Sequence, residues 1–414
     1  MRPRVLLIAL TDWFGPTRLP ASLRAAGFDV GLLSDPESLI AQSSFIDYRF
    51  HLSPSHIRLG LVGPIFRSIL DFAPRAVIPC DEEAATLLQN LALSWDDARG
   101  FGGQRKVMVP DVVRELLLRA LGDARSYPLR RNRALARRTI TGLGGVCPPS
   151  APVPYLQVAE AFAAEHGFPV VLTREERIDG RGDLVCHSNA ELRAAYSDFT
   201  NEMDSPASWR DRARWLGWTL LSGYHLAGDL SRPAFANGPL LNVEKQMPGQ
   251  PATYSMVALE GRLLAGIAAV AEADFPPASG RASVVRLIDE PAMTDLGRKV
   301  MGRFGYTGFA GMDFTLDRNT SQLTFLKFNP RPTPLVHLGP LAGGDLCAAF
   351  YEGLTGGVLV PQKLTRETTV ALFPQDWMRD PDAVDRAAEH LDIPTDDARL
   401  TAAIRARIVP KLAK

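Results

Sequence analysis

At 414 residues, with 46% hydrophobic and 22% charged residues, the chain has the composition of a soluble globular protein of two or three domains. Its 46 lysines and arginines balance its 46 aspartates and glutamates, so no overall charge attracts nucleic acid or an anionic membrane. The four cysteines are scattered without metal-ligand spacing, and no apolar run has the length of a signal peptide or a transmembrane helix. We therefore expect a cytoplasmic protein.

Strands and helices alternate in the first part of the chain. Residues 5–10, 28–33 and 76–79 form short apolar runs of the kind found in buried parallel strands. One helix, which ends before Gly27, lies between the first two strands. Another follows the third strand and runs to about residue 93. This order predicts a parallel sheet with right-handed crossovers. No G-x-G-x-x-G follows the first strand, which disfavours a dinucleotide-binding domain.

Polar residues follow two of these strands at the point where each strand ends. Thr11 and Asp12 come after the first strand, and Asp81 and Glu82 come after the third. Ligands of parallel sheets gather at the carboxyl ends of the strands, so these four are candidate cleft residues. An equally supported interpretation is that the acidic residues cap the helices that follow.

Residues 129–138 are dense in arginine. The residues concerned are Arg130, Arg131, Arg133, Arg137 and Arg138. We interpret the segment as a solvated basic face of a helix, with a phosphate site as the alternative. No aromatic residue lies among the arginines, which argues against binding of single-stranded nucleic acid.

A motif further along the chain carries the chemistry. Asp313 lies in an apolar segment, and the next segment reads Phe-Leu-Lys-Phe-Asn-Pro-Arg, with Lys327, Asn329 and Arg331 at its polar positions. The pattern resembles that of the ATP-grasp enzymes, in which an acidic residue and then "hydrophobic-Glu-hydrophobic-Asn-Pro-Arg" hold magnesium against ATP phosphates. The resemblance implies that Asp313 and Asn329 bind the metal and that Arg331 is catalytic.

The resemblance extends over most of the chain and implies an α/β protein. Residues 1–125 resemble the Rossmann-like parallel-sheet domain that precedes the ATP-grasp domain in this family, and residues 126–345 resemble the two-lobed α+β ATP-grasp domain itself. Residues 346–414 are expected to form a C-terminal extension of helices and strands, to which we assign no chemistry.

One residue of the motif departs from the family pattern. Lys327 occupies the place of the glutamate that bridges two magnesium ions, which changes the local charge by two units. At an effective dielectric constant near 20, each unit is worth about 4 kcal/mol at roughly 4 Å. A two-magnesium arrangement is therefore not expected. The alternative is that the ammonium group itself neutralises phosphate oxygens and so preserves nucleotide binding.

Two further blocks of the resemblance concern the phosphates. Thr173 occupies the place of a strand lysine that contacts ATP phosphates in the family, and threonine supplies no charge. A glycine-containing loop follows, and the resemblance implies that Gly180, Arg181 and Gly182 close over the phosphates. Acidic residues surround these glycines, which weakens the loop as a phosphate cradle.

The remaining blocks concern the base and the substrate. Glu244, Lys245 and Met247 match the hinge whose backbone recognises adenine, although an ordinary strand with a Pro-Gly turn is an equal alternative. Arg286 lies where the family often has a basic residue that faces the substrate or the acyl phosphate. The alternative for Arg286 is an arginine on the solvent side of a strand.

The resemblance implies an ATP-dependent ligase that joins a carboxylate to an amine or thiol through an acyl phosphate, with a small-molecule carboxylate and amine as partners and the homodimer that such proteins often form. ATP is the expected cofactor, and magnesium is expected at a weakened or absent site. The second hypothesis is a non-catalytic protein of the same fold that binds nucleotide or regulates an intact ligase, because Thr173 and Lys327 replace two contributors to catalysis.

Overall fold

The computed structural model describes residues 2–52, 61–93, 109–174, 183–204, 241–274, 282–358, 366–379 and 388–412. The helices of these ranges are Leu19–Ala26, Val62–Phe72, Glu82–Leu93, Asp111–Leu121, Tyr127–Arg131, Arg133–Gly142, Leu156–His166, Asn189–Asp204, Pro291–Phe304, Leu346–Thr355, Gln375–Arg379 and Ala398–Leu412. Among the described residues, no helix combines the length and the apolar character that a membrane span requires.

The first part of the chain forms a parallel sheet of four strands. The strands are β1 (Arg4–Ile8), β2 (Asp29–Ser34), β3 (Tyr48–His51) and β4 (Ala76–Pro79), in the order β3-β2-β1-β4. Every pairing in this sheet is parallel. Gly27 ends the first helix with φ 107°, a conformation that glycine adopts without steric cost. The predicted parallel sheet is confirmed.

The described residues form two further sheets. Their strands are β5 (Ser150–Val153), β6 (Val170–Arg174), β7 (Asp183–Cys186), β8 (Leu241–Lys245), β9 (Gln250–Leu259), β10 (Arg262–Asp274), β11 (Ala282–Ile288), β12 (Gly308–Asp317), β13 (Gln322–Asn329), β14 (Thr368–Ala371) and β15 (His390–Leu391). The smaller sheet has the order β5-β8-β6-β7, and the larger has the order β13-β12-β9-β10-β11-β14-β15. All pairings are antiparallel except that of β14 with β15, so the two lobes are of the predicted α+β type.

The last segment of the chain packs into the two regions before it. Strand β14 pairs with β11 and extends the large sheet. Phe350, on the helix Leu346–Thr355, contacts Phe28 of the first region and Phe309 of the second, at ring-centroid distances of 6.1 and 5.2 Å. All three phenylalanines belong to one buried cluster. The described part of the segment 346–414 therefore shares a core with the regions before it.

Charged contacts also fasten the tail to the first region. The Asp392 carboxylate lies 2.8 Å from Nη1 of Arg18 and 2.7 Å from Nε2 of His337, and the Asp392 and His337 side chains are buried. Asp12, a predicted cleft residue, accepts the Leu39 N–H at 2.8 Å and is paired with Arg407 of the last helix. Asp12 thus holds the tail in place, and these contacts occupy both of its carboxylate oxygens.

Candidate functional site

The register of the large sheet brings the motif residues together. Asp313 on β12 lies directly opposite Lys327 on β13 and directly opposite Thr253 on β9. Residues opposite each other in antiparallel strands share one face of the sheet, so these three side chains form a row. The two charged positions that the sequence motif singled out are therefore neighbours in space.

The Asp313 carboxylate already has two donors. Thr253 Oγ1 donates to Oδ1 at 3.0 Å, and Asn329 Nδ2 donates to Oδ2 at 2.8 Å. Asn329 thus presents its amide nitrogen to the carboxylate, whereas magnesium takes oxygen ligands. The third member of the expected ligand set is the cation Lys327. Among the described residues, no group of three or more His, Cys, Asp or Glu side chains is arranged to hold a metal. These residues do not fit a pair of magnesium ions.

Lys327 is paired with a carboxylate from the first region of the chain. Its Nζ lies 2.7 Å from Oε1 of Glu82, the first residue of the helix that follows β4. The two side chains are 29% and 23% exposed. The sequence indicated Glu82 as a cleft residue but gave no signal for its partner, because the two residues are 245 positions apart.

Glu82 is ionised in this environment. Burial raises the pKa of its carboxyl group, but the positive charges of Lys327 and Arg331 and the hydrogen bond from Lys327 outweigh burial and lower the pKa below its ordinary value. The charge of Arg133 acts in the same direction. Lys327 therefore contacts this carboxylate, and two arginines from other parts of the chain lie close enough to lower its pKa.

The two acids beside Glu82 have different surroundings. Asp81 accepts the backbone N–H groups of Leu10 (2.7 Å), Thr11 (3.1 Å) and Ala84 (2.8 Å), so it caps the helix and fixes the end of β1. Burial raises the pKa of Asp81. Burial also raises the pKa of Glu83, and the neighbouring charge of Asp81 raises it further. The capping interpretation is thus confirmed for Asp81.

Arg331 stacks on the loop that follows β1. Its guanidinium carbon lies 4.4 Å from the ring centroid of Trp13, and the Trp13 indole N–H donates to the carbonyl of Cys80 at 3.2 Å. A cation over an indole face is an attractive arrangement that also fixes the guanidinium in place. Trp13 is a site residue that sequence reasoning missed, since nothing in the motif points to the first strand's loop.

Arg133, one of the cations that lower the pKa of Glu82, also contacts the small sheet. It lies at the start of the helix Arg133–Gly142 and forms an ion pair of 3.0 Å with Asp183 at the start of β7. The loop that precedes Asp183 was predicted to close over the phosphates. Its three candidate residues, Gly180, Arg181 and Gly182, lie outside the described residues.

Thr173, which replaces the family's strand lysine, is fully buried on β6. Its hydroxyl donates to the carbonyl of Asn242 on the neighbouring strand β8 at 3.4 Å. The single hydroxyl proton is therefore used within the sheet, and the side chain supplies no charge to a phosphate.

The arginine-dense segment is less solvated than the sequence suggested. Arg137 is buried and donates to the buried carboxylate of Glu244, with side chains only 7% and 9% exposed. Arg130 donates to the carbonyls of Leu121 (2.6 Å) and Phe304 (3.0 Å), and burial lowers its pKa to about 10. The interpretation as a solvated basic face is wrong for these two residues.

The hinge strand β8 uses its polar groups locally. The Lys245 ammonium donates to the carbonyls of Gly167 (3.0 Å) and Phe168 (3.1 Å), and the Lys245 backbone N–H donates to Pro149 (3.0 Å). Met247 follows the end of the strand and is half-buried. The Lys245 side chain is thus hydrogen-bonded to the loop before β6.

Arg286 is separated from the other candidates. On β11 it lies opposite Val270 of β10. The pairing of β10 with β9, and of β9 with β12, continues this row to Phe314, the neighbour of Asp313 on β12. Adjacent residues of a strand point to opposite faces, so Arg286 and Asp313 lie on opposite faces of the sheet. Arg286 is paired there with two carboxylates, Glu272 (2.7 Å) and Glu367. The structure does not bring Arg286 to the row formed by Asp313 and Lys327.

No protein-family model matches this chain, and no curated protein sequence is similar to it. Solved structures are similar. The biotin carboxylase domain of the Hydrogenobacter thermophilus 2-oxoglutarate carboxylase, solved with MgADP, ADP and bicarbonate, aligns with a TM-score of 0.61 at 15% identity, over 89% of this chain and 74% of that one. The Campylobacter jejuni biotin carboxylase gives 0.59 at 15% identity, over 88% and 74%.

A second kind of enzyme aligns with this chain at a similar TM-score. The N5-carboxyaminoimidazole ribonucleotide synthetase of Thermus thermophilus aligns with a TM-score of 0.56 at 14% identity, over 88% of this chain and 82% of that chain. Both kinds of neighbour have the ATP-grasp fold. At these identities the likeness concerns the fold, and it agrees with the order of the sequence motifs. The chain has the ATP-grasp fold, preceded by a Rossmann-like parallel-sheet domain.

Proposed function

We propose that this protein binds ATP between the two lobes of the ATP-grasp fold and holds the phosphates with protein cations in place of a magnesium pair. The observation that carries the proposal is the position of Lys327, directly opposite Asp313 in the sheet register. Arg331 and Arg133 add positive charge at the same carboxylate, Glu82. An ammonium group and two guanidinium groups suit a polyphosphate.

Electrostatics disfavour adding metal to this arrangement. A divalent ion about 4 Å from the Lys327 ammonium would meet a repulsion of about 8 kcal/mol at an effective dielectric constant of 20, before screening by solvent. The Asp313 carboxylate is the one acidic group in the row, and its oxygens are engaged by Thr253 and Asn329. We therefore expect that ATP binds without a requirement for magnesium.

The base would lie at the hinge after β8. The backbone N–H groups of Lys245 and Gln246 donate to the carbonyls of Pro149 (3.0 Å) and Pro169 (3.3 Å). The contact with adenine therefore passes, in this proposal, to the backbone of Met247, with its side chain against the ring. In this proposal the Glu244 carboxylate supports the strand through Arg137.

A carboxylate–amine ligase is the second candidate function. Asp313, Asn329 and Arg331 keep the residue types of the motif, and one structural neighbour was solved with bicarbonate. In that case ATP would phosphorylate a carboxylate, and an amine or thiol would displace the phosphate. We favour binding without turnover, because neither Thr173 nor Lys327 supplies what the family uses at its position. A cytoplasmic location and a homodimer remain part of the proposal.

The proposal is tested with the wild type and Lys327→Met, with Lys299→Met as an exposed control. ATP affinity measured by calorimetry should fall at least about tenfold in Lys327→Met, which removes a charge from the phosphate site, and should not change in the control. Hydrolysis of ATP should not respond to bicarbonate. Unchanged affinity in Lys327→Met would refute the cation site. Bicarbonate-dependent hydrolysis that Asp313→Ala abolishes would establish the ligase instead.

A further inference from the structure

The ammonium group that we assign to phosphate binding already has an anionic partner. Glu82 and Lys327 belong to different regions of the chain, the parallel sheet and the large antiparallel sheet, and their charged atoms are 2.7 Å apart. A nucleotide phosphate and the Glu82 carboxylate present the same kind of group, an anionic oxygen acceptor, to the same ammonium. Full engagement of Lys327 by one weakens its engagement by the other.

We propose that Glu82 is a built-in competitor of the nucleotide's phosphates, so that ATP binds only as Lys327 leaves Glu82. This inference rests on the proposed function and concerns regulation of the same site. The Glu82–Lys327 pair is an autoinhibitory contact between the two regions. It sets the apparent affinity for the nucleotide through the fraction of molecules in which Lys327 is released.

The burial of the pair permits such an exchange. Both side chains are about one quarter exposed, and ion pairs that solvent reaches contribute little net stability. A polyphosphate offers several acceptor oxygens and more than one negative charge, so it can replace a single carboxylate. Arg331 remains in place to hold the phosphates, since it stacks on Trp13.

The neighbouring acids do not share this role. Asp81 is held by three backbone N–H groups at both of its carboxylate oxygens. Glu83 is directed to Thr11, whose hydroxyl lies 3.5 Å from its carboxylate. Of the three successive acids, Glu82 is the one that contacts Lys327. Glu83 is therefore a matched control, with the same side chain at the next position of the same helix.

The inference is tested by calorimetry with ATP and with inorganic tripolyphosphate, which carries the charge without the base, in buffer containing EDTA. Glu82→Gln removes the competing charge and keeps the shape of the side chain. We expect it to bind both probes about tenfold more tightly than the wild type. Glu83→Gln should bind as the wild type does. In the Lys327→Met background, Glu82→Gln should tighten binding much less than in the wild type, because Lys327 is the cation that Glu82 contacts.

The outcomes separate this inference from the proposed function. If the wild type binds ATP and Glu82→Gln binds it equally or more weakly, the competitor role is overturned and the nucleotide site stands. If Glu83→Gln tightens binding as much as Glu82→Gln, or if Glu82→Gln tightens it equally with and without Lys327, the effect is one of general charge and the inference fails. If neither the wild type nor folded Glu82→Gln binds either probe, both proposals fail.

Discussion

Two ion pairs mark the two ends of the candidate cleft, and they differ in burial and in what they connect. Arg137 and Glu244 form a buried pair beside the hinge strand, between a helix and β8. Glu82 and Lys327 form a partly exposed pair between the parallel sheet and the large sheet. A buried pair cannot lose one member without leaving a charge away from water, whereas a partly exposed pair can exchange its partner.

The two pairs thus differ in burial although each includes a residue that the sequence motifs single out. Both pairs involve a residue that the ATP-grasp motifs single out, Glu244 at the hinge and Lys327 at the phosphate site. Glu244 is paired with the buried Arg137, so in the proposed binding mode the base is recognised by backbone groups. Lys327 is paired with the partly exposed Glu82, which we propose that an anion displaces.

The largest expected effect is on the buried pair. Arg137→Met leaves the Glu244 carboxylate buried without its cation, and we expect the free energy of unfolding to fall by about 3–5 kcal/mol. Denaturation by urea, followed by circular dichroism, measures the change. The control is Arg138→Met at the next, exposed position, which should stay within about 0.5 kcal/mol of the wild type. A loss below about 1 kcal/mol for Arg137→Met would show that the buried pair is not structural.

A smaller effect, with a characteristic pH dependence, is expected at the exposed pair. The pKa of Glu82 is lowered by its cations although burial opposes this, so its charge stabilises the fold above the ordinary pKa of glutamate. That contribution is lost as pH falls through the lowered pKa. Glu82→Gln should therefore reduce stability by about 1 kcal/mol or less at pH 7, and the difference should vanish in acid. Thermal unfolding of the wild type and of Glu82→Gln, measured from pH 7 into acid, tests this expected difference in stability.

Glu83 sharpens the same comparison because its shift has the opposite sign. Burial and then Asp81 raise the pKa of Glu83, so its contribution is present at low pH and is lost as pH rises through the raised pKa. Glu83→Gln should thus leave stability unchanged or slightly higher at pH 7. If Glu83→Gln lost as much stability at pH 7 as Glu82→Gln does, the result would contradict the pairing of Lys327 with Glu82 and not with Glu83.

Sequence patterns predicted the fold and the motif that contains Asp313 and Lys327. They did not predict the contacts between distant segments. The apolar run Ala76–Pro79 is found as a strand with the bounds that its sequence indicated. The alternation of strands and helices and the order of the motifs predicted the architecture. Asp313 and Lys327 became neighbours because two antiparallel strands carry one motif.

The remaining features depend on pairing that no local pattern encodes. Arg130 and Arg137 look solvated within a charged run, yet aromatic rings and a distant carboxylate bury them. The face occupied by Arg286 is fixed by the register of β11 with β10, which the sequence of one strand does not specify. Glu82 acquires its partner only when the two regions pack against each other.

We propose that cations of the protein replace magnesium at the phosphate end of the cleft. The decisive experiment is a calorimetric titration of the wild-type protein with ATP, once in excess EDTA and once in excess magnesium. We expect binding in EDTA, with equal or lower affinity in magnesium because the metal meets the Lys327 ammonium and competes for the phosphates. Binding that appears only with magnesium would contradict it.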